Sequence, residues 1–474
     1  MNRLLLLLVI SFSLSVSSYA NDVSDVLENV EDMAPQTASL ARTLWEQAEL
    51  GYLEQNGSEL LQTTLAEAGF DIEAGVAGIP TAFVATYGKR GPVIGILAEY
   101  DALPGINQDA VAERSPIEGK NAGHACGHNL FGAGSVSAAI AVKQWLDETG
   151  TPGIIKLFGT PAEEGGSGKV YMVRAGLFKD VDIALHWHPA DANSAAASTT
   201  LANRSAKFRF YGTSAHAAAA PEKARSALDG VEAFNHMTNL LREHIPQDSR
   251  IHYVITNGGI APNVVPDFAE VFYYVRNPES AIVSTIWERV EQAALGAAQG
   301  TGTRVEWEII HGNHPLVVVE SLAKMVDKKL RLVGGVEYDQ QELAFAKKIH
   351  ASLNKPKFEL GSENQVQAYK VELGYGSTDV GDVSIAVPTV GFNTATWVPG
   401  TSAHSWQAVA ASGMSIGYKG ASNAAKVLAL AAIELMQNEE LRNAAQAEHK
   451  KQLGDDFHYE ALLGDRDPPL DFRK

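Results

Sequence analysis

Five short segments of the chain concentrate side chains that can bind metal ions or move protons, and each lies where an apolar run ends. They read LAEYDALPG, GHACGHN, GTPAEEGGSGK, LHWHP and GTSAHSW. In the second segment Cys126 and His128 are separated by one residue, so in an extended loop a thiolate and an imidazole can face one centre. A Cys-x-His pair alone is weak evidence for a metal site, because a lone cysteine is usually a small buried hydrophobe.

Two adjacent carboxylates, Glu163 and Glu164, occupy the third segment, just before a glycine-rich turn. In isolation, neighbouring acidic residues usually indicate a loop that faces water. In a metal site they can take two different roles: one carboxylate ligates, and the other stays free to take a proton from the attacking water. The metal-capable residues in the other segments therefore favour the metal-site interpretation of this pair.

Three histidines complete the set of possible ligands. His186 and His188 flank Trp187, and either can ligate while the other packs against the indole. We prefer His188, which precedes Pro189, and keep His186 as the alternative. His404 is a lone histidine after turn residues, and it matters only as the ligand that arrives from the second half of the chain.

The elements that would position these segments alternate strand and helix, which is typical of an α/β layer fold. Open α/β sheets place their sites at strand ends, where the polar segments lie. Strands are predicted over 81–87, 93–98, 154–158 and 181–186, with an alanine-rich helix over 132–146 and another over 420–436.

The pattern changes near Asn203. From there the chain follows a strand-helix-strand-strand-helix-strand order, the split βαβ order of a ferredoxin-like sandwich. We therefore predict a discontinuous α/β catalytic domain, residues 21–203 and 314–445, with an inserted α+β domain at 204–313. Residues 446–474 are charged and contain proline, so they are interpreted as a surface arm.

The N-terminus and the composition limit where the protein acts and what it binds. Residues 1–20 resemble a cleaved secretory signal peptide, and no later segment is apolar enough to span a bilayer, so a periplasmic or secreted protein is expected. A single cysteine among 474 residues excludes an intramolecular disulfide. The formal net charge of -18 disfavours nucleic acid as a partner.

Taken together, these segments and GSTDVGDVS resemble the di-metal peptidase superfamily that contains aminoacylases, glutamate-releasing carboxypeptidases, hippuricases and auxin-conjugate hydrolases. Within it they are most similar to the group that includes the B chain of aminobenzoyl-glutamate hydrolase. The resemblance extends from about Pro35 to Ala445. It implies a metal-dependent hydrolase of C–N bonds in small N-acyl amino acids, dipeptides or aminobenzoyl-glutamate-like conjugates, with an inserted domain that serves as lid and dimerisation surface.

The same resemblance implies a role for each residue of the site. Two divalent ions, zinc or manganese with cobalt also suitable, are expected, with Glu163 as the general base and Asp101 as the acidic residue near the metals. The metal ligands implied by the resemblance are Cys126, His128, Glu164, His188 and His404.

Residues of the inserted domain are expected to complete the site. His216, in GTSAHAAAAP, matches a histidine that reaches the active site of the partner protomer and stabilises the oxyanion, which implies a homodimer. Asn263, in GGIAPNVVPD, matches a residue that binds the polar end of the substrate. Arg276 can pair with a substrate carboxylate through its planar guanidinium, or it is an edge-strand charge that faces water.

Two other functions compete with metal-dependent hydrolysis. Cys126 can be a nucleophile activated by His124 or His128, but that interpretation leaves the other metal-capable residues without a role. A non-catalytic solute- or metal-binding protein of the cell envelope can use the same scaffold. Glu163 distinguishes a binding protein from an enzyme, because a binding protein has no use for an unligated carboxylate beside the metals.

Overall fold

The computed structural model describes residues 23–196 and 198–473. The predicted signal peptide, residues 1–20, lies outside the described residues. The helices are α1 (23–32), α2 (Ala34–Gln47), α3 (Gln55–Glu67), α4 (His128–Thr149), α5 (Glu163–Gly166), α6 (Gly168–Arg174), α7 (Ala227–Leu241), α8 (Ser280–Thr301), α9 (Glu320–Val333), α10 (Gln340–Ala351), α11 (Val380–Ala386), α12 (Trp406–Ser412), α13 (Ser415–Gln437) and α14 (Glu439–Leu453). The strands are β1 (Asp71–Ala74), β2 (Phe83–Arg90), β3 (Val93–Ala98), β4 (Leu103–Pro104), β5 (Ala122–Gly123), β6 (Gly153–Gly159), β7 (Ile183–Leu185), β8 (His188–Ala190), β9 (Ser194–Ala196), β10 (Ala202–Tyr211), β11 (Arg250–Asn257), β12 (Phe268–Asn277), β13 (Arg304–Asn313) and β14 (Thr389–Ala395).

An eight-stranded sheet forms the larger part of the fold. Its strand order is β1-β2-β6-β3-β7-β14-β8, with β9 paired to β14. The pairs from β6 to β8 are parallel, whereas β1, β2 and β9 run antiparallel to their neighbours. Because parallel strands end at one edge of a sheet, the loops that follow β3, β6 and β7 meet there.

Most residues of helices α4 and α13 are buried, and both helices contact this sheet. Both are rich in alanine and glycine, so their backbones approach closely: a Cβ at Gly134 would lie 2.9 Å from the Ala421 carbonyl oxygen. Helix α4 begins at His128, four residues before the predicted start. The hydrophobic pattern did not indicate this start because the residues Gly127, His128 and Asn129 are not apolar. The earlier start places His128 in the first turn of a rigid helix.

A four-stranded antiparallel sheet, in the order β11-β12-β10-β13, carries α7 and α8 and has its own hydrophobic core. Its element order is the predicted β-α-β-β-α-β order, and β12 alternates buried and partly exposed residues as a half-covered strand does. Helix α7 begins after Ser226, whose hydroxyl accepts a 3.1 Å hydrogen bond from the Asp229 amide.

The C-terminal region differs from the predicted surface arm. Helix α14 continues to Leu453, and the chain then returns across the molecule, where Leu462 and Leu463 are buried. Charged and proline residues around this leucine pair dominate the local composition, which is why the sequence indicated a solvent-exposed segment. Among the described residues, no helix has the length and apolarity that crossing a membrane requires.

Candidate metal centre

The polar segments converge at the edge where the parallel strands end. Leu97 and Ala98 of β3 pair with Phe158 and Gly159 of β6, so the residues after each strand leave the sheet side by side. Glu99 and Asp101 follow β3, and the Glu163–Glu164 pair follows β6. The β7–β8 connection and the start of α4 supply the histidines. This is the crevice that open α/β sheets use for their sites.

Three overlapping groups of potential ligand atoms lie in this crevice, with the atoms of each group within 4.8 Å of one another. Cys126 Sγ lies 3.5 Å from His188 Nε2, and Glu164 Oε1 lies 3.3 Å from His404 Nε2. All five ligands expected from the sequence, and Glu163 beside them, are therefore brought together. The groups are Cys126 with His128 and His188, Cys126 with Glu164 and His404, and Glu99 with His128 and Glu163.

Access to solvent varies across the cluster. His128 is fully buried at the end of the crevice, Cys126, Glu163, Glu164 and His188 are partly exposed, and the side chain of His404 is 55% exposed at the rim. The cluster is therefore most open to solvent on the side of His404.

Asp101 orients two parts of the cluster. Its Oδ1 atom lies 2.9 Å from His128 Nδ1, which turns His128 Nε2 towards the cluster, and its Oδ2 atom accepts a 2.9 Å hydrogen bond from the Glu164 amide. A carboxylate behind a ligating histidine is the usual outer partner of a metal site. Burial lowers the pKa of His128, but Glu99, Cys126 and Asp101 outweigh burial and hold that pKa well above its ordinary value.

The two histidines of the LHWHP segment differ in surroundings. His188 Nδ1 lies 2.7 Å from the Pro189 carbonyl oxygen, so Nε2 is left facing Cys126. Burial and the neighbouring His128 lower the pKa of His188, which favours the neutral imidazole that metals bind. His186 instead packs against Gly391, where burial lowers its pKa to about 4, and it belongs to none of the three groups.

A buried ion-pair network behind the cluster was missed by the sequence analysis. Lys169 Nζ lies 2.6 Å from Glu99 Oε1 and 2.7 Å from Asp379 Oδ1, and all three side chains are essentially inaccessible to water. Burial raises the pKa of Asp379 to about 6, although the positive charge of Lys169 opposes this shift. The pKa of Lys169 is raised above its ordinary value, because the two carboxylates outweigh the lowering effect of burial. These residues stand in segments that the sequence singled out, but a lysine after a glycine-rich turn normally indicates a surface residue.

The Glu-Glu loop, which we define as residues 162–168, is strained. Ala162 and Ser167 adopt positive φ angles of 58° and 62°, a region that non-glycine residues rarely occupy. Glu54 accepts a 2.8 Å hydrogen bond from the Ala162 amide, and His311 Nδ1 lies 2.6 Å from the Ser167 hydroxyl. Burial and the nearby Asp101 raise the pKa of Glu54 to about 8. The strain is thus held at both ends of the loop by buried side chains.

The electrostatics of the cluster suit a divalent cation. Burial raises the pKa of Glu163 well above its usual range, and repulsion from Glu99, Glu164 and Asp379 raises it further. His128 Nε2, Glu99 Oε2 and Glu164 Oε1 are buried and form no hydrogen bond among the described residues. Their polar contacts include ion pairs with a histidine: Glu99 Oε2 lies 3.1 Å from His128 Nε2, and Glu164 Oε1 lies 3.3 Å from His404 Nε2. Cations would relieve this repulsion, and the mixed sulfur, nitrogen and oxygen donors match the preferences of zinc-like transition metals.

The residues predicted on the substrate side lie in two places. Arg276, on β12, is partly buried, and its Nε atom has no hydrogen-bond partner among the described residues. Burial lowers the pKa of Arg276, and Tyr274 and Glu163 oppose that shift, so its guanidinium lies within electrostatic reach of the cluster. His216 and Asn263 are exposed on adjoining loops of the four-stranded sheet, outside the three metal-capable groups. A 3.0 Å hydrogen bond from the Ala217 amide to the Asn263 carbonyl links these loops.

An α/β sheet whose strand ends present sulfur, imidazole and carboxylate donors, with a further carboxylate beside them, defines the class of metal-dependent hydrolases. Comparison with known proteins identifies the family: the chain belongs to Peptidase family M20/M25/M40, whose model matches residues 95–392. Members with hydrolase activities are among its relatives, so the protein is a metal-dependent hydrolase of amide or peptide bonds.

Two curated relatives extend over most of the chain. The B chain of the p-aminobenzoyl-glutamate hydrolase of Escherichia coli (strain K12) is 40% identical over 439 residues, covering 87% of this chain and 91% of that protein. The Xaa-Arg dipeptidase of Mus musculus is 29% identical over 442 residues, covering 90% and 91%. Among solved structures, a dinuclear metal binding peptidase of the M20 family from Bacillus subtilis matches the fold with a TM-score of 0.57 at 18% identity, covering 86% of this chain and 99% of that one.

Proposed function

We propose that the protein is an exported amidohydrolase that cleaves the amide bond of a small N-acyl amino acid, a dipeptide or an aminobenzoyl-glutamate-like conjugate. The observation that carries this proposal is the convergence of the five proposed ligands with Glu163, a carboxylate that also belongs to one of the three metal-capable groups but that the proposed set of ligands leaves free. The E. coli and mouse relatives act on an aminobenzoyl-glutamate and on Xaa-Arg dipeptides according to their names, which supports a substrate with an amino-acid leaving group.

The ligands of two divalent ions would be Cys126, His128, Glu164, His188 and His404. When bound, such ions polarise the scissile carbonyl and make water more acidic. The thiolate suits zinc, and manganese or cobalt can also be accommodated. Cys126 and His128 each belong to two of the three groups, so both side chains would contribute to holding the ions. The burial that raises the pKa of the free Cys126 thiol is a cost that a bound cation would offset.

Glu163 would be the general base. Its position next to Glu164, on a strained loop, lets one carboxylate face the ions while the other takes the proton from water and later delivers it to the leaving amine. Arg276 would bind a carboxylate of the substrate. Its partnerless Nε atom and its partial burial are what an arginine that awaits an anionic partner requires.

A homodimer would complete the site, because His216 and Asn263 are exposed on the four-stranded sheet and need a second chain to face a substrate. Strand β11 lies at the edge of that sheet and exposes Val254 and Ile255 by 56% and 41%. An edge strand with apolar side chains is a natural pairing surface. The 33% identity to the A chain of the same E. coli hydrolase over 261 residues makes pairing with a related second chain the other arrangement to test.

Complementation between inactive variants tests the shared site. His216→Ala and Glu163→Gln proteins are each expected to be inactive, whereas mixing and re-equilibrating them should restore about a quarter of native activity, since half of the dimers are mixed and one of their two sites is intact. Activity that stays absent in the mixture, while cross-linking shows mixed dimers, would contradict a role for His216 across the interface.

Substrate class and export are tested separately. The purified protein is assayed against N-acyl amino acids, dipeptides and aminobenzoyl-glutamate, with and without zinc or manganese; we expect metal-dependent release of an amino acid. A metal-loaded protein that binds a member of this panel tightly and cleaves none would instead support an envelope binding protein. Cell fractionation with N-terminal sequencing tests the proposed cleavage after Ala20 and the proposed periplasmic or secreted location.

A further inference from the structure

The C-terminal segment, which we define as residues 454–473, joins the two sheets of the molecule. Leu462 belongs to the hydrophobic core of the four-stranded sheet, and the next residue, Leu463, belongs to the core of the eight-stranded sheet. A Cβ at Gly312, on β13, would lie 2.7 Å from the Leu463 amide nitrogen, so only glycine lets the segment lie this close. Two adjacent residues therefore couple two separate cores.

Polar contacts fix the segment on both sides of these leucines. The Tyr459 hydroxyl donates to Asp382 Oδ1 at 2.8 Å, on the side of the eight-stranded sheet. The Arg466 side chain pairs with Glu308 of β13 at 2.8 Å. The backbone carbonyl oxygen of Arg466 accepts a 2.7 Å hydrogen bond from Arg174 of α6. The segment is thus anchored to α6, α11 and β13 before it reaches the metal centre.

The end of the segment contacts the Glu-Glu loop directly. Arg473 Nη2 donates a 2.5 Å hydrogen bond to the carbonyl oxygen of Glu164. The ring of Phe472 lies edge-on to Tyr52, with centroids 5.8 Å apart, and the Tyr52 hydroxyl donates to the Gly166 carbonyl oxygen at 2.5 Å. Through these two side chains the segment reaches two carbonyl groups of a strained loop.

Both backbone groups of Glu164 are consequently fixed by side chains: Asp101 accepts from its amide and Arg473 donates to its carbonyl. A loop with positive φ angles at Ala162 and Ser167 keeps that conformation only while its surroundings enforce it. Loss of the Arg473 hydrogen bond would let the peptide after Glu164 rotate. Such a rotation would change the directions of both acidic side chains.

We propose that Phe472 and Arg473 are positioning residues for the hydrolytic reaction, and that through them the C-terminal segment holds the Glu-Glu loop in the conformation that directs Glu163 and Glu164 into the site. The inference rests on the roles proposed for Glu163 and Glu164. The C-terminal segment thus has a role in catalysis, although its charged, proline-containing composition indicated a surface arm.

Three single variants of the full chain test the proposal. Arg473→Ala removes the donor, and Arg473→Lys keeps a cation that can donate to the same carbonyl. Arg331→Ala is the matched control, because Arg331 on α9 also donates to a loop carbonyl, that of Gln367 at 2.7 Å, but contacts no residue of the Glu-Glu loop among its described partners. Each protein is measured for kcat and KM, and for amide hydrogen exchange of peptides spanning residues 162–168 without metal or substrate.

Arg473→Ala is expected to lower kcat by roughly tenfold or more with KM changed less than threefold, because small misplacements of reacting groups are costly. Its loop peptides should exchange about tenfold faster, Arg473→Lys should recover part of both effects, and Arg331→Ala should match the native protein. Unchanged loop exchange in Arg473→Ala, or faster exchange with native kcat, would overturn the proposal. Should the native protein cleave nothing, the function proposed above fails, and the exchange comparison still decides whether Arg473 holds the loop.

Discussion

Replacing Lys169 by methionine is expected to destabilise the protein strongly. The substitution keeps the length and apolar stem of the side chain but removes a cation that is fully buried between Glu99 and Asp379, at 2.6 and 2.7 Å. Removing one partner of a buried ion pair leaves an uncompensated charge and typically costs about 3–5 kcal/mol. Because two carboxylates lose their partner here, we expect Lys169→Met to lie near the upper end of that range.

The loss should depend on pH in a defined direction. With Lys169 present, burial already raises the pKa of Asp379 to about 6, and removing the cation raises it further. A carboxyl group whose pKa is higher in the folded than in the unfolded protein contributes stability at low pH and loses it as the pH rises through its folded pKa. Lys169→Met should therefore be less destabilised at pH 5, where the carboxyl groups can be neutral, than at pH 8.

Urea denaturation of the metal-free protein, followed by circular dichroism at pH 5 and pH 8, measures this effect. Lys143→Met is the matched control, since Lys143 forms a 2.7 Å pair with Asp147 on the surface of α4, and an exposed pair is worth about 1 kcal/mol or less. A loss below about 1 kcal/mol for Lys169→Met at pH 8, or an equal loss at both pH values, would refute the reasoning from buried charge.

Three further predictions concern the site. The folded pKa of Glu54 is about 8, so the native protein loses stability as this buried group ionises. The Glu54→Gln protein cannot ionise there, and its free energy of unfolding should rise relative to that of the native protein by up to roughly 5 kcal/mol between pH 5 and pH 9. Unfolding measured across this pH range checks the prediction. His404→Ala should weaken the binding of one zinc ion by roughly tenfold or more, measured by competition with a chromophoric chelator, whereas His186→Ala should leave zinc affinity within about threefold. Arg276→Ala should raise KM for substrates with a free carboxylate by roughly tenfold and leave KM for their amides nearly unchanged, which steady-state kinetics on matched pairs would show.

The sequence predicted the two sheets well because hydrophobic periodicity and turn residues are local signals. The order of strands and helices from Ala202 to Asn313 follows the predicted one, and strands β2, β3 and β6 lie where apolar runs predicted them. The element bounds were less accurate where polar residues begin a helix, as at His128. The division into catalytic and inserted domains, and the dimer that the inserted domain would form, stay predictions.

The side chains proposed as metal ligands were accessible from sequence because metal chemistry needs a few distinctive residue types, such as Cys126 and adjacent glutamates, at strand ends. The network behind them was not. Lys169 and Asp379 are more than two hundred residues apart, and only the fold brings a lysine into a fully buried position. The C-terminal contact of Arg473 with Glu164 was equally hidden, because a charged segment that contains proline resembles a solvated tail until its leucines are seen to be buried.

The most direct test of the account compares the native protein with Glu163→Gln on the best substrate of the panel, with both proteins loaded with the same metal and their metal content measured. Glutamine preserves the size of the side chain but cannot take a proton, so kcat should fall by at least about a hundredfold while metal content and substrate binding are retained. A Glu163→Gln protein that keeps its metal and hydrolyses the substrate within about tenfold of the native rate would contradict the assignment of Glu163 as the general base, and with it the proposed mechanism.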